Sequence, residues 1–294
     1  MTAHVTVGLD GTEESFAAVR WAAGEAVLRE AALHVLHVDE WPSAPELPDS
    51  YVHAVAERAD KLLQKAVNQA QEDHPGLEVV AERVTGRAAE VLTAAADEAD
   101  LTVLDSRRLG GVSGFVVGSV SLAVVGSARH PVVLLRADRA TGRPMAARGG
   151  IVVGVDVYRP CESLLAFSFE EAARLGVPVR FLHSWTLPAS YGYAAIMDPA
   201  AGEELGERMM DNLDELVDPW RKRFRGVEVT AKAVVGSAAY QLVEASRTAD
   251  LVVIGRRGRR MPIGPHLGHV AHAVIHHSPA PVAVVPLHAS RTGR

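Results

Sequence analysis

The sequence has one cysteine, Cys161, in 294 residues. A disulfide framework inside the chain is therefore excluded, and a reducing, cytoplasmic setting is expected. A basic balance is also missing: the net charge is −6 and the pI is near 6.1. General nucleic-acid binders carry a basic excess or stripe, so no nucleic-acid partner is expected. The basic concentration is local, at Arg256, Arg257, Arg259 and Arg260. No basic segment with an apolar core precedes the first alternating run, Val5, Val7 and Leu9, which argues against a secretory signal. The uncharged run Leu109–Ala128 has the length of a membrane span, about 20 residues. It holds Gly110, Gly111, Gly114, Gly118 and Gly126, and reads instead as a loop followed by a short buried helix. No membrane partner is expected.

Several catalytic signatures are missing too. There is no G-x-x-x-x-G-K-[ST], no G-x-G-x-x-G, no G-x-S-x-G and no H-E-x-x-H. A P-loop NTPase, an ordinary dinucleotide-binding dehydrogenase and an elbow-type serine hydrolase all lose support.

What is present is one pattern written twice. V-T-V-G-L-D ends at Asp10 and I-V-V-G-V-D ends at Asp156, an offset of 156 − 10 = 146. A-D-L-T-V-L starts at Ala99 and A-D-L-V-V-I at Ala249, an offset of 249 − 99 = 150. H-P-V-V-L-L (130–135) and A-P-V-A-V-V (280–285) repeat that offset. Ordered matches at a nearly constant offset mean duplication. The composition, 48% hydrophobic and 22% charged, is that of a globular chain, and each half is long enough to bury a core.

Each half alternates strands with helices. In the first, strands are expected near 4–9, 32–38, 77–84, 101–105 and 131–135, and helices near 12–30, 51–73, 88–98 and 119–128. Thr12 is the expected cap of the first helix, with Phe16, Val19, Ala23, Ala26 and Val27 as its buried stripe. In the second, strands are expected near 151–155, 178–184, 226–235, 250–254 and 281–285, and helices near 160–175, 200–224, 237–247 and 268–277. This alternation predicts an α/β chain of two tandem doubly wound domains, each a parallel sheet flanked by helices. The expected bounds are 1–137 and 150–288, with a polar, Arg-rich linker at 138–149 closed by glycine and a tail at 289–294.

Ligands of such sheets sit beyond the carboxyl ends of the strands. Asp10 and Asp156 end the first strands, where each can hold a ribose hydroxyl, meet a cation or cap a helix. After the fourth strand of the second half stands Gly255-Arg-Arg-Gly258, then nine residues, then Gly268-His269 opening a helix. Glycine backbone, a helix N-terminus and arginines together suit a phosphate. The same residues also suit a solvated basic loop.

These features resemble the universal stress protein family, whose nucleotide-binding members carry G-x2-G-x9-G-[ST] after the fourth strand. The resemblance covers nearly the whole chain, once per half. It implies five-stranded parallel sheets and ATP held between the first-strand Asp, the second-strand end and the glycine loop. Carried over, it assigns the second-half site to Val155, Asp156 and Ser184, then Ile254, Gly255, Arg257 and Gly258, then Gly268, His269 and Val270. His269 stands where the family has Ser or Thr, and Pro262 and Pro265 stiffen the intervening stretch. In the first half it assigns Leu9, Asp10, Val38 and Leu104, with Gly118, Ser119, Val120 and Ser121. There Asp105 and Arg108 replace the first two glycines. An aspartate repels phosphate, and Arg108 costs about 1–2 kcal/mol if the position needs positive φ. Arg107 and Arg108 can instead supply charge.

Two smaller features remain. His269, His272 and His276 share a helix face, but no carboxylate or cysteine joins them at ligand spacing, so no metal is expected. The apolar face of that helix is expected at Val270, Ala273 and Val274. Cys161 follows Pro160 at a helix start, where a thiolate can be stabilised, although a structural thiol is the simpler reading. The expected function is a stress-response regulator that binds an adenine nucleotide without significant turnover. Its alternatives are a module acting only through unidentified protein partners, and a slow ATP hydrolase. The resemblance also implies a pseudo-twofold pairing of the two domains at their fifth strands, and a homodimer is an extension of it.

Overall fold

The computed structural model describes residues 3–40, 48–108, 115–136, 149–159, 161–186, 199–257 and 267–287. The chain divides into two units, Met1–Pro144 and Met145–Arg294. The expected linker falls almost wholly outside the described residues. Its closing glycines are described, and sterics require them. A Cβ at Gly149 would fall on the Thr248 carbonyl, and one at Gly150, where φ is +72°, on that of Pro178.

The first unit contains β1 (His4–Gly8), α1 (Glu13–Leu28), β2 (Ala32–Asp39), α2 (Asp49–Asp73) and β3 (Val79–Thr85). There follow α3 (Ala88–Glu98), β4 (Leu101–Arg108), β5 (Phe115–Val116), α4 (Ser119–Ser127) and β6 (Val132–Arg136). The strand order is β3-β2-β1-β4-β6, parallel throughout. Val7 lies opposite Val35 on one side and Val103 on the other, and all three are fully buried. These strands read as continuous apolar runs because helices cover both faces. Thr12 caps α1, accepting a hydrogen bond from Ser15 N at 3.2 Å. The α1 stripe holds at Phe16, Val19, Ala23 and Ala26, but Val27 is 45% exposed. Val27 and Leu28 form the last two residues of α1, and both are exposed there, 45% and 43%.

The second unit contains β7 (Ile151–Gly154), α5 (Glu162–Leu175), β8 (Val179–Trp185), α6 (Pro199–Arg223) and β9 (Val229–Val235). It continues with α7 (Ala238–Ser246), β10 (Leu251–Arg257), α8 (His269–His277) and β11 (Val282–Leu287). Its order, β9-β8-β7-β10-β11, repeats that of the first unit. Helix α5 ends at Gly176 in the left-handed conformation, φ 64° and ψ 38°, a common glycine stop. An aromatic cluster ties α5, β8 and α6 together. Phe169 stacks on Phe181 at 5.3 Å, on Phe224 at 5.4 Å and on Trp220 at 5.9 Å.

Two elements differ from expectation where it matters. Strands β4 and β10 each run three residues past the expected end, to Arg108 and Arg257. The two-residue β5, which lies in the expected loop, pairs antiparallel with β4 and keeps it extended: Arg107 faces Val116 and Arg108 faces Phe115. Arg108 therefore carries no positive-φ penalty. Among the described residues only Glu30 is a non-glycine at positive φ. No helix among the described residues is long and apolar enough to cross a membrane.

Candidate functional site

In each unit the chain leaves the central strand for one side of the sheet and returns on the other. The loops after β1 and β4, and after β7 and β10, therefore diverge and leave a crevice. The second unit holds a cleft of about 580 Å³ there, and the first a cleft of about 480 Å³.

The second cleft gathers Val155 and Asp156 after β7, Ser184 on β8, Ile254, Gly255 and Arg257 on β10, and His269 and Val270 on α8. Leu205 and Met209 of α6 and Leu242 of α7 give it apolar walls. Gly258 lies outside the described residues, as do Arg259, Arg260, Pro262 and Pro265. Asp156 is not the cap of α5, a position held by Cys161. Its Oδ1 accepts from Tyr158 N at 3.2 Å, and its Oδ2 lies 3.0 Å from Arg159 Nε and 3.7 Å from Arg257 Nη2. Asp156 thus serves as a cation partner. Arg256 is buried and does not line the cleft, so of the expected arginines it is Arg257 that faces the site.

The two motif glycines do different jobs. Gly255 is a strand residue, and a Cβ there would meet Leu287 Cδ1 at 2.7 Å, so it permits close packing of β10 on β11. Gly268 precedes α8 with φ −66° and ψ 158°, a conformation open to any residue, and nothing lies within 4 Å of where its Cβ would stand. It caps α8 without a side chain. The first-turn amides have no partner within the helix and no side-chain cap among the described residues, at the positive end of the helix dipole. This is a ready anion site.

Cys161 lines the same cleft, but burial, reinforced by Asp156 and Glu162, pushes its thiol up to about 11. This agrees with the structural thiol, the simpler of the two readings: an apolar, acidic surrounding disfavours a further negative charge. On α8 the buried residues are Ala271, Val274 and Ile275, so the packed face is turned one position from the expected Val270 and Ala273. His269 is exposed on the cleft, and the His272 and His276 rings lie 4.4 Å apart on the outer side. Among the described residues no group of three metal-ligating side chains assembles.

Beside the expected Ser184, the end of β8 carries two groups that the family motif does not include, His183 and Trp185. His183 Nδ1 lies 3.0 Å from the Val155 carbonyl oxygen. Among the described residues, His183 Nε2, Ser184 Oγ and Trp185 Nε1 are buried without a hydrogen-bond partner, and all three residues line the cleft. The repeat held a signal for this: Leu36-His37 and Leu182-His183 stand 146 apart, since 182 − 36 = 146.

The first cleft gathers Leu9, Asp10, Val38, Leu104, Gly118, Ser119, Val120 and Ser121 as expected, but its charge is opposite. Asp10 Oδ1 accepts from Thr12 N at 2.9 Å and Thr12 Oγ1 at 2.5 Å. Glu40 and Asp105 join it on the lining, and no lysine or arginine does so among the described residues. The side chains of Arg107 and Arg108 lie outside what is described. His37 Nδ1 meets the Leu9 carbonyl oxygen at 2.7 Å, as its counterpart does in the second unit. Its Nε2 lies 3.3 Å from Asp39 Oδ1.

Comparison with known proteins agrees with the duplicated architecture. The model of the universal stress protein family matches residues 1–136 and again residues 149–286. A universal stress protein of Mycolicibacterium smegmatis is 32% identical over 294 residues, covering 96% of this chain and 96% of that protein. One of Mycobacterium tuberculosis is 31% identical over 300 residues, covering 95% and 94%. In fold the chain is similar to a universal stress protein from Archaeoglobus fulgidus, with TM-score 0.72, 17% identity and coverage of 97% and 98%. Two matches of one family model, one per sheet, account for both the repeat and the paired clefts: the chain belongs to the universal stress protein family, with a copy of the domain in each half.

Proposed function

We propose that the second cleft binds an adenine nucleotide, ATP, and that the chain is a cytoplasmic stress-response regulator whose output follows occupancy rather than turnover. The observation that carries this reading is the N-terminus of α8, uncapped by any side chain among the described residues, whose first-turn residues His269, Val270 and Ala271 line the cleft together with Arg257. The amides and the guanidinium suit the phosphates. Val155, Leu205, Met209, Leu242 and Ile254 suit a planar ring. Asp156, between them at the end of β7, suits a ribose hydroxyl. No nucleophile hydrogen-bonded to a base lines the cleft among the described residues, and the Cys161 thiol is held protonated, which supports binding without covalent catalysis.

The first cleft favours a different reading. Three carboxylates, Asp10, Glu40 and Asp105, line it and oppose a phosphate chain. The first unit then acts through protein contacts while the second responds to nucleotide. Titration calorimetry with ATP tests both halves through matched variants. A side chain at Gly118 or Gly268 meets nothing within 4 Å, so both variants are expected to keep the fold; Gly118 lines the first cleft, and Gly268 directly precedes the helix turn that lines the second. The expected result is ATP binding lost in Gly268→Leu and retained in Gly118→Leu. The reverse pattern would move the site to the first unit, and no heat with any of the proteins would sink the nucleotide reading.

A further inference from the structure

The two clefts share one histidine and use it differently. His37 and His183 occupy equivalent places on β2 and β8, each with Nδ1 against the carbonyl oxygen that precedes the first-strand Asp, at 2.7 Å and 3.0 Å. A carbonyl only accepts, so Nδ1 carries a proton in both, and Nε2 is left to accept through its lone pair or, with a second proton, to donate. In the first unit Nε2 lies 3.3 Å from Asp39 Oδ1, which only accepts, so a bond there is donated by Nε2–H and leaves no lone pair for a ligand. In the second, Trp185 stands in place of Asp39, since 185 − 39 = 146, and an indole N–H only donates. His183 is 4% exposed, and among the described residues its Nε2 has no partner.

A buried unpaired acceptor destabilises a protein unless something satisfies it. Trp185 Nε1 is a buried unpaired donor two residues along the strand, hence on the same face of β8 as His183. Acceptor and donor thus stand on one face of β8, in the cleft that Leu205, Met209 and Leu242 wall on its apolar side. An aminopurine offers the complement: the 6-amino group donates and the adjacent ring nitrogen accepts. Tyr158 stands edge-on to the His183 ring at 6.1 Å, is 68% exposed, and donates to Met209 Sδ at 3.0 Å. Thioether sulfur is a weak acceptor, so rotation of this exposed side chain can uncover Nε2 at small cost.

We propose that His183 is a specificity-determining residue of the second cleft, its Nε2 accepting a hydrogen bond from the 6-amino group of the bound purine. The inference rests on the nucleotide reading above and adds how the base is chosen. The first unit cannot choose in this way, because Asp39 already holds His37.

The test is calorimetry of the full-length chain with two probes, ATP and its 6-deamino analogue, purine riboside 5′-triphosphate. The wild type is expected to bind ATP about tenfold or more tightly, because the analogue leaves Nε2 unpaired. His183→Phe, which keeps the ring and deletes the acceptor, is expected to bind both probes equally. His183→Gln, which returns an acceptor oxygen near the Nε2 position, is expected to restore the preference. Equal affinity of the wild type for the two probes overturns the proposal and leaves the nucleotide reading standing. So does a preference that survives in His183→Phe, since another group must then read the base. Should that variant fail to fold, the wild-type comparison and His183→Gln decide the matter. Failure of both probes to bind the wild type overturns both readings together.

Discussion

A single residue shows how surroundings set chemistry. Cys161 sits at a helix start, a place that lowers thiol pKa when it is open, yet here the thiol is raised from 9.0 to about 11. The thiolate fraction at pH 8 is then about 100-fold below that of an ordinary cysteine. Iodoacetamide is expected to label the native chain slowly and the denatured chain quickly; equal rates would contradict the buried thiol. Because the folded pKa is raised, the thiol contributes stability that is present below about 9 and lost as pH rises through about 11. Arg257 gives the opposite case. Its pairing with Asp156 at 3.7 Å is exposed and contributes little to stability, about 0–1 kcal/mol. Arg257→Ala is expected to leave the melting temperature nearly unchanged while weakening ATP binding about tenfold, as loss of a charge-assisted phosphate contact does. A large drop in melting temperature with unchanged affinity would refute its assignment to the site.

At the scale of elements, the second unit depends on one aromatic contact set. Phe169 of α5 is fully buried and stacks on Phe181 of β8, on Trp220 of α6 and on Phe224 just after that helix. Truncating it leaves a cavity among three rings that cannot collapse onto one another. Phe169→Ala is expected to cost about 3–5 kcal/mol, read as a fall in the urea midpoint. Thr12→Ala removes one side-chain hydrogen bond at the start of α1 and is expected to cost about 1 kcal/mol. Comparable losses would mean that the aromatic set is not the anchor. The extension of β4 and β10 belongs to this scale too. Asp105, Arg108 and Gly255 are read as loop residues by motif spacing, yet pairing with β5, β6 and β11 holds them in strands. A motif counts residues and cannot see a neighbouring strand.

For the whole molecule, the duplicated fold and the opposed charges of the two clefts predict one ATP per chain. Hydrogen exchange is expected to slow on ATP addition at 182–186 and at 268–271, and to stay unchanged at 118–121. Protection at both helix starts would show two equivalent sites. Thermal unfolding is expected to rise with ATP, by about 2.7 kcal/mol of added stability at a hundred times the dissociation constant.

The sequence alone determined the duplication, the order of strands and helices in each half, and part of what lines the clefts at the strand ends, Asp10 and Asp156 among it. Those follow from local pattern: apolar runs, a capping threonine at Thr12, and glycines at 149, 150 and 268, all written in consecutive residues. Even the family could be named from them. Tertiary structure decided the rest. It turned Val27 to solvent, put Arg256 into the interior and Arg257 onto the cleft, and held the Cys161 thiol protonated. It also set His37 against Asp39 while leaving the matching nitrogen of His183 unpaired. Each of these depends on which groups from distant parts of the chain share a low-dielectric space, and no count along the sequence measures that distance.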